Sequence, residues 1–403
     1  MNKICVIGLG YIGLPTSAIL ASRGFEVYGI DIKKEIVDTI NRGKIHIVEP
    51  DLDMLVRSAV VSGKLKAFDK IKPADVFIIC VPTPFKQGHK ADLSYVIAAA
   101  KAIGTVLKKG NLVILESTSP PKTTLMVSDL LKKISGLEPG KDIYVAYCPE
   151  RVLPGNILKE AVLNDRIIGG INTESSMRAK ELYASFVEGN IYLTDSVTAE
   201  MTKLVENTYR DINIAYANEL SMICDKLGIN VWELIKLANK HPRVNVHNPG
   251  PGVGGHCIAV DPWFIVDAFP REAQLIKKAR ERNNAKPDYV VERVLERASQ
   301  IKNKKVVIGC LGLTYKPNVD DFRESPSLGI VRKLKNKCKV LVNDPYFNQS
   351  NIQNRGMDNT ILSELINRSD VIVILVGHSH YKGLKLQNKI VLDYCGLLEE
   401  EKK

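Results

Sequence analysis

The chain has 403 residues, 45% hydrophobic and 25% charged, and 56 Lys and Arg against 45 Asp and Glu give a formal net charge of +11. A prior of roughly 150 residues per domain makes this two or three domains, and no apolar run approaches the roughly 18 residues that a membrane span needs, so no membrane partner is expected. The basic excess is spread over many helical patterns without interleaved stacking aromatics, which argues against a nucleic-acid partner and suits an anionic small molecule.

Met1-Asn2-Lys3 leads straight into an apolar run with no signal-peptide pattern, so a cytoplasmic location is expected. Up to residue 195, short Val/Ile-rich runs at 4–7, 25–30, 76–81, 112–115, 143–147 and 166–169 alternate with helical patterns, which predicts a doubly wound parallel sheet. From 196 to 300 the β-like runs vanish, and residues 198–240 carry apolar positions at helical spacing. A Pro/Gly-rich loop, 241–255, interrupts them. The alternation returns at 305–310, 340–343, 371–376 and 390–392. The expected fold class is therefore α/β, with Rossmann-like domains over 1–195 and 301–403 joined by a central helical region over 196–300. The charged end, 399–403, is expected to fray.

Gly8-Leu9-Gly10-Tyr11-Ile12-Gly13 stands directly after the first β-run and before a helical pattern. In that context the first glycine makes the turn, the second admits a pyrophosphate and the third allows close helix–strand packing, with phosphate on the helix N-terminus. The alternative is a merely tight strand-to-helix turn. Asp31, closing the second run, can accept from ribose hydroxyls and repel a 2′-phosphate, which favours NAD over NADP, although Lys33 and Lys34 weaken that preference. Pro82 and Thr83 follow the next run and Thr118 the one after, all at the carboxyl edge where open α/β sheets hold ligands. Thr118 is expected near the nicotinamide; a cap on the helix after Pro120-Pro121 is its alternative.

The eight cysteines show no CxxC pair and no Cys/His cluster, so neither a disulfide framework nor a metal site is indicated. Cys5, Cys80 and Cys310 lie in apolar runs and read as buried thiols. Cys257 instead follows Gly254-Gly255-His256, where flexible backbone lets a substrate approach a thiolate. A thiolate adds to an aldehyde to give a thiohemiacetal, which can yield hydride to NAD and leave a thioester for water to cleave. Lys203 and Asn207 share a helix face and could hold an alkoxide and a water, or simply be solvated. Asp261 reads as a proton acceptor or as a cap on the following turn. His256 ranks below Lys203.

Taken in order, GLGYIGLP at 8–15, VPTP at 81–84, CPERVLPG at 148–155, Lys203 with Asn207, HPRVNVHNPGPGVGGHCIAVDPWF at 241–264 and GLTYKPNVDDFRESP at 312–326 resemble the UDP-glucose/GDP-mannose dehydrogenase family over nearly the whole chain. The closest likeness is to its branch acting on UDP-N-acetyl-D-mannosamine. The resemblance implies four-electron oxidation of that sugar at C6, with Cys257 as nucleophile, Lys203 and Asn207 stabilising oxyanion and water, and Asp261, Thr118 and Glu150 assisting. It implies that Glu150, Arg151, Leu153, Arg243, Asn245, His247 and Gly254 grip the nucleotide sugar, and that Tyr315, Lys316 and Arg323 reach the uridine diphosphate. It also implies a homodimer or higher assembly through the central helices. Pro154 stands where UDP-glucose enzymes carry a second carboxylate, a departure from that branch, and Ala259 stands where a proline is usual, which bears on loop rigidity more than on chemistry. The same chemistry on UDP-N-acetylglucosamine or UDP-glucose is the neighbouring alternative. Two other classes remain open, a two-electron hydroxyacid dehydrogenase and a non-catalytic NAD-binding module.

Overall fold

A computed structural model of the chain describes residues 1–153, 155–255, 257–302, 305–347, 356–386 and 388–400. These fall into two compact units, Met1–Glu206 with Trp263–Ala268, and Asn207–Pro262 with Phe269–Lys403.

In the first unit, β1 (Lys3–Ile7), β2 (Glu26–Ile30), β3 (Leu65–Phe68), β4 (Val76–Ile79), β5 (Leu112–Leu115), β6 (Tyr144–Tyr147), β7 (Arg166–Gly170) and β8 (Ile191–Asp195) make one sheet in the order β3-β2-β1-β4-β5-β6-β7-β8. The order reverses between β1 and β4, the switch point at which such sheets open a ligand crevice. Every neighbouring pair is parallel except β6 and β7, where Ala146 faces Gly170 and Tyr147 faces Gly169 in antiparallel register. β7 and β8, parallel to each other, thus run opposite to the other six strands; that reversal, and the existence of β3 and β8, depart from the sequence reading. β8 is a poor sequence signal because Tyr192 and Leu193 are exposed, so no apolar alternation marks it.

The helices of this unit are α1 (Gly13–Ser22), α2 (Lys34–Asn41), α3 (Leu52–Val61), α4 (Ser94–Gly104), α5 (Thr123–Ser135), α6 (Ile157–Leu163) and α7 (Thr173–Tyr183). Side chains alternate across a strand, and here both faces are covered. Ile4 and Val6 of β1 pack in a core with Leu14 and Leu20 of α1 and Val56 of α3. Cys5 and Ile7 belong to the opposite core, with Val96 and Ile103 of α4 and Val127 and Leu131 of α5. Each such fully buried aliphatic side chain contributes about 1.5–3 kcal/mol. Burial pushes the Cys5 thiol up to about 12, in keeping with an inert hydrophobe.

A 32-residue helix, α8 (Ser196–Leu227), runs on into the second unit. It is followed by α9 (Val231–Ala238), α10 (Asp261–Ala268) and α11 (Gln274–Ser299), and no strand lies between β8 and β9 among the described residues. The second unit then forms β9 (Val307–Leu311), α12 (Pro326–Lys335), β10 (Lys339–Asn343), α13 (Leu362–Arg368), β11 (Val371–Ile374), β12 (Ile390–Asp393) and α14 (Leu397–Glu400). Its four strands are all parallel, in the order β10-β9-β11-β12. The fold class is thus the expected α/β, with a large mostly parallel sheet, a helical stretch and a second parallel sheet. The chain end differs from expectation at 399–400, which continue α14 because the Asp393 carboxylate accepts the backbone N–H groups of Cys395, Gly396 and Leu398. Residues 401–403 lie outside the described residues. No helix among the described residues is long and apolar enough to cross a membrane.

Candidate active site

In the first unit the glycine-rich turn joins β1 to α1. Gly8 has φ 93°, and a Cβ on it would lie 2.7 Å from the Cys80 carbonyl oxygen; one on Gly13 would lie 1.8 Å from the Gly8 carbonyl oxygen. Both glycines are therefore dictated by the protein itself. Gly10 differs, since nothing lies within 4 Å of its Cβ position, which leaves backbone accessible to a ligand. Asp31 at the end of β2 accepts the Leu9 N–H at 3.1 Å through one oxygen and the Lys33 N–H at 2.9 Å through the other, which fixes its carboxylate beside the turn. Tyr11 packs on the core and Ile12 precedes α1 as its N-cap residue. An open Gly10 and a fixed acidic group at the second strand are what a dinucleotide needs, so these residues fit NAD.

The carboxyl edge of the sheet carries the next group of side chains. Thr83 Oγ1 donates to the Thr118 carbonyl at 2.7 Å, and Pro82 is exposed beside it. The capping alternative for Thr118 is overturned, because α5 begins at Thr123 with Lys122 at its N-cap. The buried Glu200 carboxylate takes the free N–H groups there, from Lys122 and Thr124 at 2.6 Å each. Glu150 is buried, its carboxylate accepting from Arg166 Nη2 at 2.7 Å and from the Arg151 N–H at 2.7 Å. Burial alone would lower the Arg166 pKa, but the Glu150 carboxylate outweighs it and the net direction is up. Arg151 is committed to Glu206 at 2.6 Å and to the Asp165 carbonyl at 3.1 Å, and Leu153 is exposed. Lys203 on α8 is half-buried and donates to the Glu150 carbonyl at 2.9 Å, so the solvated-face alternative does not hold for it.

Sequence reasoning missed two buried members of this cluster. Glu116 accepts from the Tyr183 hydroxyl at 2.5 Å and from Cys80 Sγ at 3.1 Å. Burial, then the nearby Glu150 charge, raises the Glu116 pKa. The bond from its Sγ makes Cys80 a donor in a polar cluster and not the plain hydrophobe expected. The short apolar run around Cys80 gives no signal of that.

The second unit holds Cys257, the exposed one among the eight cysteines, none of which forms a disulfide. Its carbonyl accepts the backbone N–H groups of Val260 at 3.0 Å and Asp261 at 2.8 Å, which places the thiol on the turn that opens α10. Asp261 therefore opens the helix and is also buried, accepting from Asn207 Nδ2 at 2.6 Å across 54 positions. Asn207 is buried too, so it is no more solvated than Lys203. His256 lies outside the described residues, as does Pro154. Behind the loop, Cβ atoms on Gly254 and Gly255 would each meet Tyr315 at 2.9 Å, and Gly255 has φ 82°. Gly255 N–H donates to the Arg323 carbonyl at 3.3 Å, while the Arg323 guanidinium pairs with Asp321 at 2.6 Å.

Lys316 accepts through its carbonyl from the Thr314 hydroxyl at 2.9 Å. That segment rests on Asp344, which accepts the N–H groups of Leu313 at 2.6 Å and Thr314 at 3.2 Å, and on His378, which accepts the Asn318 N–H at 3.0 Å through Nδ1. Neither buried supporter was read from the sequence. Arg243 and Asn245 are exposed, and the His247 ring lies 6.4 Å from that of Tyr209. No cluster of three or more His, Cys, Asp or Glu suited to a metal occurs among the described residues.

Three family models match the chain in order: the NAD binding domain of the UDP-glucose/GDP-mannose dehydrogenase family at residues 2–187, its central domain at 197–285 and its UDP binding domain at 309–400. A UDP-N-acetyl-D-mannosamine dehydrogenase of Campylobacter jejuni is 54% identical, over 98% of this chain and 99% of that protein. An NDP-N-acetyl-D-galactosaminuronic acid dehydrogenase of Ralstonia nicotianae is 53% identical, over 98% and 96%. Among solved structures, a UDP-D-ManNAc dehydrogenase from Pyrococcus horikoshii superposes with a TM-score of 0.90 at 42% identity, covering 98% of this chain and 96% of that one.

Proposed function

The chain belongs to the UDP-glucose/GDP-mannose dehydrogenase family, with NAD as its cofactor, and on that basis we propose that it oxidises UDP-N-acetyl-D-mannosamine at C6 to the uronate. The Gly8–Gly13 turn would hold NAD, which would supply the hydride acceptor, one molecule for each of the two oxidations. The chain's own residues supply the rest. In this reading the Cys257 thiolate adds to the C6 aldehyde, giving a thiohemiacetal; loss of hydride leaves a thioester, and water releases the carboxylate and the thiol. Lys203 and Asn207 stabilise the oxyanion and orient water, with Asp261, Thr118 and Glu150 handling protons and water. Arg243 and the 245–255 loop hold the sugar nucleotide, and Tyr315, Lys316 and Arg323 serve the diphosphate.

The observation that carries the reading is an exposed Cys257 thiol on a turn whose next carboxylate, Asp261, is buried and held by Asn207. We assign the three functional parts to 1–195, 196–300 and 301–403. A dimer through the central helices is supported by an apolar stripe on α8, where Tyr209, Tyr216, Ile223 and Leu227 recur at helical spacing and are 47–67% exposed. Its test is sedimentation of the full chain against a Tyr216→Asp, Ile223→Asp double variant, expected as a monomer.

The reaction is tested by counting NADH formed per sugar consumed, with sugar limiting. Two equivalents from UDP-N-acetylmannosamine are expected. One equivalent removes the thioester pathway and leaves a two-electron dehydrogenase. UDP-N-acetylgalactosamine belongs in the same panel, because relatives of nearly equal identity carry the two different sugar names; UDP-N-acetylglucosamine and UDP-glucose complete it.

A further inference from the structure

Two helices of the second unit face each other with polar side chains that no part of the reaction has yet used. On α11, Arg280 and Asn283 are each 1% exposed; on α8, Asp211 and Asn218 are fully buried. Asp211 Oδ1 accepts from Arg280 Nη1 at 2.5 Å and from Asn283 Nδ2 at 2.8 Å, and the Asp211 carbonyl accepts from the same Nδ2 at 3.0 Å. Asn283 Oδ1 in turn accepts from Asn218 Nδ2 at 2.8 Å, and Asn218 Oδ1 accepts the backbone N–H of Gly250 at 2.9 Å.

The order of donors along this chain is forced. A carboxylate and a carbonyl can only accept, so Asn283 must turn its NH2 toward Asp211 and its oxygen toward Asn218. Asn218 must then present its own oxygen to Gly250. A side-chain amide is nearly symmetric in shape, and its two orientations are told apart only by such partners. Gly250 lies between Pro249 and Pro251, which have no N–H, so it is the single backbone donor of that tripeptide. On the other side of Cys257, the Ile258 carbonyl lies 3.5 Å from Arg280 Nη1, a long contact from the same ion pair.

We propose that Asp211 is a positioning residue for the loop that carries Cys257, acting through the amides of Asn283 and Asn218 on Gly250 and through Arg280 on Ile258. The proposal rests on the reading that Cys257 bears the chemistry. Asp211 acts on the loop through other side chains: its carboxylate, with its main-chain carbonyl, draws the Asn283 NH2, and the direction of the two amides decides whether Gly250 meets an acceptor or a second donor.

The test uses the full chain with two variants that interrupt the relay at different points. Asp211→Asn supplies a donor where only acceptors stood, and Asn218→Ala removes the last link while leaving the Asp211–Arg280 pair intact. Each is expected to lower kcat about 10- to 100-fold, the size of effect that small misplacement of reacting groups produces. Combined, they are expected to cost no more than the worse single variant, because both break one path. NAD affinity is expected to stay within about twofold of the unaltered chain, since that site is in the other unit.

A purely structural role would not be restored by exchanging the groups. In Asp211→Asn combined with Asn283→Asp, the new carboxylate at position 283 still accepts from Asn218 Nδ2, so Asn218 again faces Gly250 with its oxygen. Recovery to within about threefold of the unaltered kcat supports the relay, and a folded double variant that stays as slow as Asp211→Asn overturns it. Alkylation of Cys257 by iodoacetamide, mapped by peptide mass spectrometry, follows loop geometry without sugar or NAD, and its rate is expected to change in both single variants and return in the exchange. If Asp211→Asn does not fold, Asn218→Ala decides, and an unchanged kcat and alkylation rate in it overturns the proposal. If the unaltered chain oxidises no nucleotide sugar, the functional reading fails while the alkylation rates still judge the relay.

Discussion

Two glycine-bearing loops hold their shapes by different means. The turn at 8–13 is set by backbone packed on backbone: Gly8 N–H donates to the Ile30 carbonyl at 2.8 Å, and Gly13 sits so close to Gly8 that no side-chain atom fits. The loop at 245–255 is longer and takes its shape from side chains distant in the chain, Asn218 on one side and the Tyr315 ring on the other. The turn fixed by steric exclusion tolerates no added atom at Gly8 or Gly13. One fixed by tethers tolerates volume in places, but not the loss of a donor or acceptor.

Substitutions sharpen that contrast, beginning with the thiol. Cys257→Ser is expected to lower uronate formation at least ~10³-fold, by loss of the nucleophile, while NAD still binds; liquid chromatography of the product measures it, and a loss under tenfold contradicts the role assigned to the thiol. Gly13→Ala inverts the pattern, weakening NAD about 100-fold and lowering Tm, because its Cβ meets a carbonyl oxygen. Gly10→Ala separates fold from ligand: its Cβ meets nothing in the protein, so Tm is expected to hold while NAD weakens about tenfold. A matching drop in Tm would mean that the first loop is sterically closed throughout.

The smallest effect tests tethering against plain packing on α11. Burial lowers the Lys286 ammonium to about 8, with Asp225 opposing, and its Nζ donates to Ser221 Oγ at 2.5 Å. Because the folded-state pKa lies below the unfolded one, the cost of burying this charge is present in full below pH 8 and is relieved between about pH 8 and 10.5. Lys286→Met should therefore raise stability, by on the order of 2 kcal/mol below pH 8 and by progressively less above it, as denaturant titrations at several pH values would read.

The dinucleotide turn was legible because its requirements are local: three glycines, a preceding strand and Asp31 all lie between positions 3 and 31. Cys257 was legible by contrast with the cysteines in apolar runs. Arg280 and Asn283 were not, since α11 also carries Lys277, Lys278, Arg282, Arg293 and Arg297, and nothing in that basic series marks which member meets a carboxylate 69 positions away. Lys203 and Asn207 were found as a pair, but whether their face met solvent depended on contacts that spacing alone does not encode. Glu116 directly follows the apolar run at 112–115, yet its link to Tyr183 spans 67 positions.

The reversal of the last two strands of the first sheet, β7 and β8, has a consequence for where chemistry can be recruited. In an all-parallel sheet only the outgoing ends of strands reach the ligand edge, so a residue at the start of a strand is stranded on the far side, about 3.3 Å away for each intervening residue. With β7 turned around, its first residue, Arg166, arrives opposite the segment leaving β6 and meets Glu150. The inverted pair thereby gives the edge access to an incoming end as well, and the fixed positive charge of Arg166 enters the rim from inside the sheet.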